Sequence, residues 1–159
     1  MKITDVEVHT IQPPLQEFNA AAIIRYHGKV FQQRTLFVVH TDNGLQGIGE
    51  AVGSGADADA VREKYIGTSP FDWVNAETDL ALNSCMYDLM GKHLGLPAWK
   101  LMGPKVRSWI PVAAWSISRA PEHMAEEVVQ AARRGYRWLK YHVDEVQNVI
   151  RQTEAMQRV

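Results

Sequence analysis

The stretch Arg34-Thr35-Leu36-Phe37-Val38-Val39-His40-Thr41-Asp42-Asn43-Gly44-Leu45-Gln46-Gly47-Ile48-Gly49-Glu50 decides the fold of the first part of this chain. Thr35 to Thr41 is rich in β-branched and aromatic residues, which pack well on a pleated surface, so it reads as a strand. Asp42-Asn43-Gly44 supplies residue types that tolerate positive φ in a tight hairpin, and Leu45 to Glu50 is expected to return antiparallel. Upstream, Ile3, Val6 and Val8 begin another strand, which makes a small meander. The connection from Gln12 to Gln33 contains two prolines, an alanine run and Arg25-Tyr26-His27-Gly28. It is long for a connection in a compact domain and reads as an ordered loop of the kind that serves as a lid or binding loop.

Past Gly55 the periodicity becomes helical, with Leu82, Cys85, Met86, Leu89 and His93 at helix spacing and Gly95 then Pro97 as a stop. A brief helix from Ala98 to Met102 and the breaker Gly103-Pro104 close a first domain. Ile110 to Trp115 then reads as a short apolar strand, and a helix opens near Pro121. That helix has Ala125, Val128, Val129 and Ala132 on one face, glutamates early, Arg133 and Arg134 late, and Gly135 at its end. Tyr136 to Val143 is the next strand. Asp144 with Gln147 resembles an N-cap and capping box for a last helix with Val146, Val149, Ile150 and Thr153 on one face. Strand, helix, strand, helix is the opening of a parallel α/β unit.

Composition narrows the function classes. The chain has 159 residues, is 46% hydrophobic and carries a formal charge of -1, enough apolar content for a core and no basic stripe for nucleic acid. No apolar stretch approaches the ~18 residues that a membrane span needs, and Met1-Lys2-Ile3-Thr4-Asp5 has no apolar signal region, so a cytoplasmic protein is expected. The single cysteine, Cys85, falls on an apolar helix stripe and reads as core packing. Gly47-Ile48-Gly49 and Gly53-Ser54-Gly55 follow an antiparallel hairpin and lack the strand-turn-helix setting of a nucleotide loop. His9, His40 and His93 have no metal-like spacing and are assigned to structure.

The chemistry-bearing feature is Lys140-Tyr141-His142. Residues two apart on a strand face the same way, so Lys140 and His142 are expected to project together, with Leu139, Tyr141 and Val143 on the other side. On spacing alone, a strand-end lysine reaching solvent and a satisfied core histidine are the plainer arrangement. Arg25 and His27 stand in the long segment, where the planar fork of arginine suits a distal substrate carboxylate and a solvated loop is the plainer alternative.

Three stretches in this order resemble the enolase superfamily, and within it the mandelate racemase and muconate-lactonizing enzyme group: Arg34 to Glu50, the helix Ala81 to Pro97, and Gly135-Tyr136-Arg137-Trp138-Leu139-Lys140-Tyr141-His142. The last looks like the end of the second barrel strand, where the family usually carries Lys-x-Lys. The resemblance implies an α+β capping domain, a three-stranded antiparallel meander plus helices, over a modified TIM-type barrel. In such enzymes Mg²⁺ binds the substrate carboxylate and stabilises the enediolate formed when a base removes the α-proton, at the C-terminal ends of the barrel strands. Lys140 matches the first lysine, which assists near the carboxylate. His142 replaces the second, the acid/base. A lysine base must be brought from ~10.4 toward ~7 to 8 by burial or neighbouring charge, whereas a histidine starts near ~6.5. His142 either serves as the acid/base with less tuning or donates a hydrogen bond while a base elsewhere acts. Glu50 and Ser54 flank the second family loop that usually covers the pocket, with a plain strand-end carboxylate and turn serine as the alternative.

A complete barrel of this type takes ~250 residues in eight βα units, and the 52 residues after Arg107 have room for about two. The expected organisation is therefore a capping domain over residues 1–107 and the first two βα units of an incomplete barrel over 108–159. The family's Mg²⁺ ligands are carboxylates at the ends of the three following strands, so this chain alone is expected to bind no Mg²⁺; Asp144 and Glu145 begin a helix instead. The resemblance thus implies the N-terminal portion of a Mg²⁺-dependent enzyme acting on a small sugar or hydroxy acid carboxylate. Acid-sugar dehydration leads, with racemisation or cycloisomerisation as close variants, and a homo-oligomer is expected. A truncated, non-catalytic chain with a packing or oligomer-contact role is the reading from another class.

Overall fold

The computed structural model describes residues 1–15, 17–28, 32–53, 55–76 and 79–159, apart from the side chains of Phe18, Asn19, Ala22, Tyr26 and His27. Its backbone divides into one unit made of Met1–Pro13 with Phe31–Val106, and another made of Pro14–Val30 with Arg107–Val159.

The first unit is built on alternation. In β2 (Arg34–Thr41) every second residue is buried, so Thr35, Phe37, Val39 and Thr41 turn inward. The two buried threonines satisfy their hydroxyls on backbone carbonyls, Thr35 on Gly53 and Thr41 on Leu45, at 2.9 Å each. β2 pairs antiparallel with β1 (Ile3–Ile11) on one side and β3 (Gln46–Val52) on the other, in the order β1-β2-β3, which is the expected meander. The hairpin turns at Gly44, whose φ of 80° is open to glycine and whose N–H donates to Thr41 O at 3.0 Å.

Two helices and a 3-10 turn cover the inner face of this sheet or flank it: α2 (Ala58–Tyr65), Pro70–Trp73, and α3 (Leu80–Leu94). Asp79 caps α3 by accepting from the N–H groups of Ala81 and Leu82. Gly95, left-handed at φ 65°, ends it, with Leu96 N–H returning to Gly91 O. Its apolar stripe (Ala81, Leu82, Cys85, Met86, Leu89, Met90) packs with Ile3, Val6, Phe37 and Val39 into one core. α4 (Trp99–Met102) follows.

Gly47 and Gly49 decide how near α3 comes. A Cβ at position 49 would lie 1.9 Å from Ala81 O, and one at position 47 would lie 2.4 Å from Cys85 O. The helix backbone therefore rests directly on β3. It also closes the strand's free edge, because the Ile48 N–H donates to Asp88 Oδ2 at 3.0 Å and Lys92 Nζ donates to Gln46 O at 2.6 Å. Burial inside this contact pushes the Cys85 thiol up to about 12, so it is an unreactive core group.

In the second unit, β4 (Ala114–Ile117) and β5 (Leu139–His142) pair in parallel, joined by α5 (Pro121–Arg133), and α6 (Val149–Gln157) follows. The order matches the expected βαβα opening. The strand expected at Ile110 to Trp115 lies later, since the ladder starts where Ala114 N–H meets Trp138 O, at 2.8 Å, beyond the donor-less Pro111. The last helix also starts later. Asn148 caps it, while Asp144 Oδ1 accepts from Val146 and Gln147 N–H in a turn ahead of it. The buried stripe of α5 is Met124, Glu127 and Ala131, offset from the Ala125/Val128/Val129/Ala132 face, and Val146, Val149 and Ile150 are exposed. The largest correction concerns Gln12 to Gln33, which holds a helix, α1 (Glu17–His27), in place of a loop. Glu17 in the first turn and Ala20-Ala21-Ala22 within it are helix-favouring, and the prolines lie ahead of it.

Gly49→Ala is expected to cost ~1–3 kcal/mol or more, the overpacking range, because the group it meets is a helix carbonyl that cannot move alone. Its urea midpoint by far-UV circular dichroism should fall well below that of Ile48→Ala, whose side chain is on the opposite, exposed face. Equal midpoints would show that α3 can back away.

Candidate active site

β5 alternates as expected: Leu139 and Tyr141 are half-buried, while Lys140 and His142 are exposed on the other face. The parallel register pairs Trp115 with Lys140 and Ile117 with His142, which brings an aromatic and an aliphatic residue of β4 onto the face that carries the basic pair. Lys140 Nζ stands 5.8 Å from the centroid of the Trp115 ring. The His142 ring is 5.9 Å from the same ring, inclined at 64°. The two basic groups thus converge on one indole. His142 and Ile117 are the last residues of their strands, and ligands of parallel sheets bind beyond those ends.

The loop after β4 is anchored from beneath by buried polar groups. Gln152 of α6, fully buried, donates its Nε2 to Ser118 Oγ at 2.8 Å and to Arg119 O at 2.6 Å. Glu127 of α5 is 6% exposed and faces Arg119, with Nη1 to Oε1 at 3.6 Å. Desolvation pushes the Glu127 carboxyl above its ordinary range, against the opposing pull of Arg119 and of a hydrogen bond from Ser116. Trp115, Glu127 and Gln152 were not singled out from the sequence. The register of two parallel strands is what joins Trp115 to Lys140, and no local pattern in either strand encodes it.

The other expected residues are distributed as follows. Arg25 is exposed in the last turn of α1, a helix that touches β4 within the same unit. His27 ends that helix, and its side chain lies outside the described residues, as does Ser54 altogether. Glu50 is within β3 of the first unit, where Arg34 Nε meets its Oε1 at 2.8 Å. Among the described residues no group of three His, Cys, Asp or Glu side chains is arranged to hold a metal ion. The exposed groups on the face carrying Lys140 and His142 are an ammonium, an imidazole and an indole, which is not the oxygen donor set that Mg²⁺ requires. What this face can do chemically is receive an anion, neutralise it, and exchange a proton through an imidazole. No helix among the described residues is long and apolar enough to cross a membrane.

No family model matches the chain. Two curated relatives do. An N-succinyl-L-Arg/Lys racemase of Bacillus cereus is 25% identical over 98% of this chain and 48% of its own length. A cis-3-hydroxy-L-proline dehydratase of Roseibium aggregatum is 27% identical over 86% of this chain and 43% of its own. The crystal structure of the Bacillus cereus racemase superposes with a TM-score of 0.75 at 25% identity, covering 99% of this chain and 49% of that one. A dipeptide epimerase from Enterococcus faecalis, solved with Mg and the dipeptide L-Leu-L-Tyr, superposes with a TM-score of 0.70 at 23% identity over 99% of this chain and 50% of that one, a likeness of fold. An antiparallel meander with helices, followed by parallel βα units, is the N-terminal architecture of enolase-superfamily enzymes. The chain is similar over most of its length to members of the mandelate racemase and enolase superfamily. It spans about half the length of the curated relatives it matches.

The raised Glu127 carboxyl fixes the sign of a pH effect. Its acid form is favoured by folding, so its contribution is fully present below about 4.5, the ordinary carboxyl value, and is lost as pH rises through the folded-state value. Hydrogen exchange of the α5 amides should show the stability of the native chain relative to Glu127→Gln declining as pH rises from about 4.5. A difference independent of pH would refute this.

Proposed function

We propose that this chain is the N-terminal portion of a Mg²⁺-dependent enzyme that removes the α-proton of a small carboxylate substrate. Residues 1–107 are its capping domain and 108–159 the start of its barrel. The observation that carries this reading is the convergence of Lys140 and His142 on one indole at the C-terminal end of a parallel strand pair. A substrate carboxylate drawn to the Lys140 ammonium would bring its α-carbon within reach of the His142 imidazole, which then takes the proton and later returns it or passes it to a leaving group. The family's solved members include one with Mg and a bound dipeptide, and Mg²⁺ would supply stabilisation of the enediolate. This chain's own residues supply the cation and the proton carrier. Arg25 and His27 on α1, and Glu50 and Ser54, are proposed as substrate-binding residues.

Acid-sugar dehydration is the first reaction proposed. Racemisation of an N-succinyl amino acid is the second, favoured by the likeness to the Bacillus cereus racemase. A polypeptide carrying these 159 residues at its N-terminus, supplied with Mg²⁺ in deuterium oxide, is expected to exchange the α-proton of sugar acids or N-succinyl amino acids. His142→Gln should lower that exchange by roughly 10²- to 10⁴-fold, the usual contribution of a positioned acid/base. Absence of exchange with every acid would sink the catalytic reading and leave a non-catalytic packing or oligomer-contact role. Exchange unaffected by His142→Gln would move the base elsewhere.

A further inference from the structure

Trp115 touches both members of the basic pair. It is 46% exposed, so burial does not account for its place, and its register on β4 puts it opposite Lys140 on the open face of the sheet. An ammonium on a four-carbon stem and an imidazole two residues along the same strand face have no reason of their own to converge, and when both are charged they repel. An indole changes that. Its electron-rich face attracts the ammonium, and an inclined contact with the imidazole ring is a favoured aromatic geometry. The ammonium at 5.8 Å from the ring centroid and the imidazole with its own centroid at 5.9 Å both lie within the range of such interactions.

We propose that Trp115 is the positioning residue of this site, a clamp that holds the Lys140 ammonium and the His142 ring together on the sheet before an anionic ligand arrives. The word site rests on the α-proton-abstraction reading, while the clamp is a property of the chain itself. Held in this way, the pair presents a preformed cation beside a proton carrier, and less side-chain entropy is lost when a carboxylate binds. The substrate class that fits is a carboxylate whose uncharged body can rest against the exposed part of the indole.

The test uses the 159-residue chain and nuclear magnetic resonance. In the native chain, nuclear Overhauser contacts from the Trp115 ring to the Lys140 ε-methylene and the His142 ring protons are expected, with ring-current displacement of both sets of signals. Trp115→Leu should lose the displacement and loosen the Lys140 methylenes, and Trp115→Phe should keep both, a pattern that a purely structural role would not give. Missing Overhauser contacts in the native chain, or Trp115→Leu signals that stay in place, would overturn the clamp, and the first of these needs no variant to fold. L-malate is then titrated as a simple hydroxy-acid probe. Perturbation of the Lys140 and His142 signals that weakens in Trp115→Leu supports positioning, and equal binding by both chains refutes it. Intact ring contacts with no malate effect on either residue would support the clamp while counting against the carboxylate reading.

Discussion

The approach of α3 to β3, so close that a Cβ at Gly49 would lie 1.9 Å from a helix carbonyl, is the constraint on which the first unit depends. Two backbones in contact leave no layer of side chains between them. The core is thus made by residues on either side of the contact line: Phe37 and Val39 from the sheet, and Leu82, Met86 and Leu89 from the helix. The same closeness lets Asp88 and Lys92 reach backbone groups of β3 that have no strand partner. Lys92 is also paired with Asp88 at 2.7 Å, so one short ion pair satisfies both an edge donor and an edge acceptor. An exposed pair of this kind contributes little to stability, yet here it has a second effect, the blunting of an edge that would otherwise recruit another strand.

The second unit solves a different problem. Parallel pairing needs a crossover helix, and α5 supplies it, but the sheet it covers has two strands, with a buried polar layer beneath. Ser116, Ser118, Glu127 and Gln152 are buried where aliphatic residues would be expected between helix and strand. Burial of this kind is unfavourable unless the groups bond to one another. Gln152 meets that condition with its Nε2, which donates to Ser118 Oγ and Arg119 O and holds the chain as it leaves β4, while its buried Oε1 accepts no bond among the described residues. An apolar substitute would pack as well without fixing that loop, which lies at the strand end that carries the proposed chemistry.

Much of the architecture was legible because its signals are local. The β-branched and aromatic run from Thr35 to Thr41, glycine at the turn, and Gly95 at the end of α3 each act within a few residues of where they are seen. The same locality explains the errors. The two prolines signal a loop, but they act only ahead of Glu17, and the alanine run behind it is free to form a helix. Asp144 did bind backbone N–H groups as a cap would, but for a turn, because Asn148 caps the helix itself. The stripe of α5 differs from the apolar face of its sequence because Glu127, a charged residue, occupies the buried seam, and hydrophobicity alone cannot announce a buried carboxylate.

The basic pair shows where such legibility stops. That Lys140 and His142 share a face follows from a period of two along one strand, and the sequence states it directly. That they share a partner does not, because the partner stands 25 residues before Lys140 and is selected by register, which in a parallel pair is fixed by the whole βαβ crossover. A shift of one residue would bring Ser116 beside Lys140 and send the indole to the face where Ser116 now lies buried. In the observed register the large, flat side chain at 115 stays half-exposed and lies near both basic groups. If Trp115 positions the pair as proposed, packing and chemistry meet in a single side chain, because the register that leaves the indole half-exposed is also the one that sets it beside Lys140 and His142.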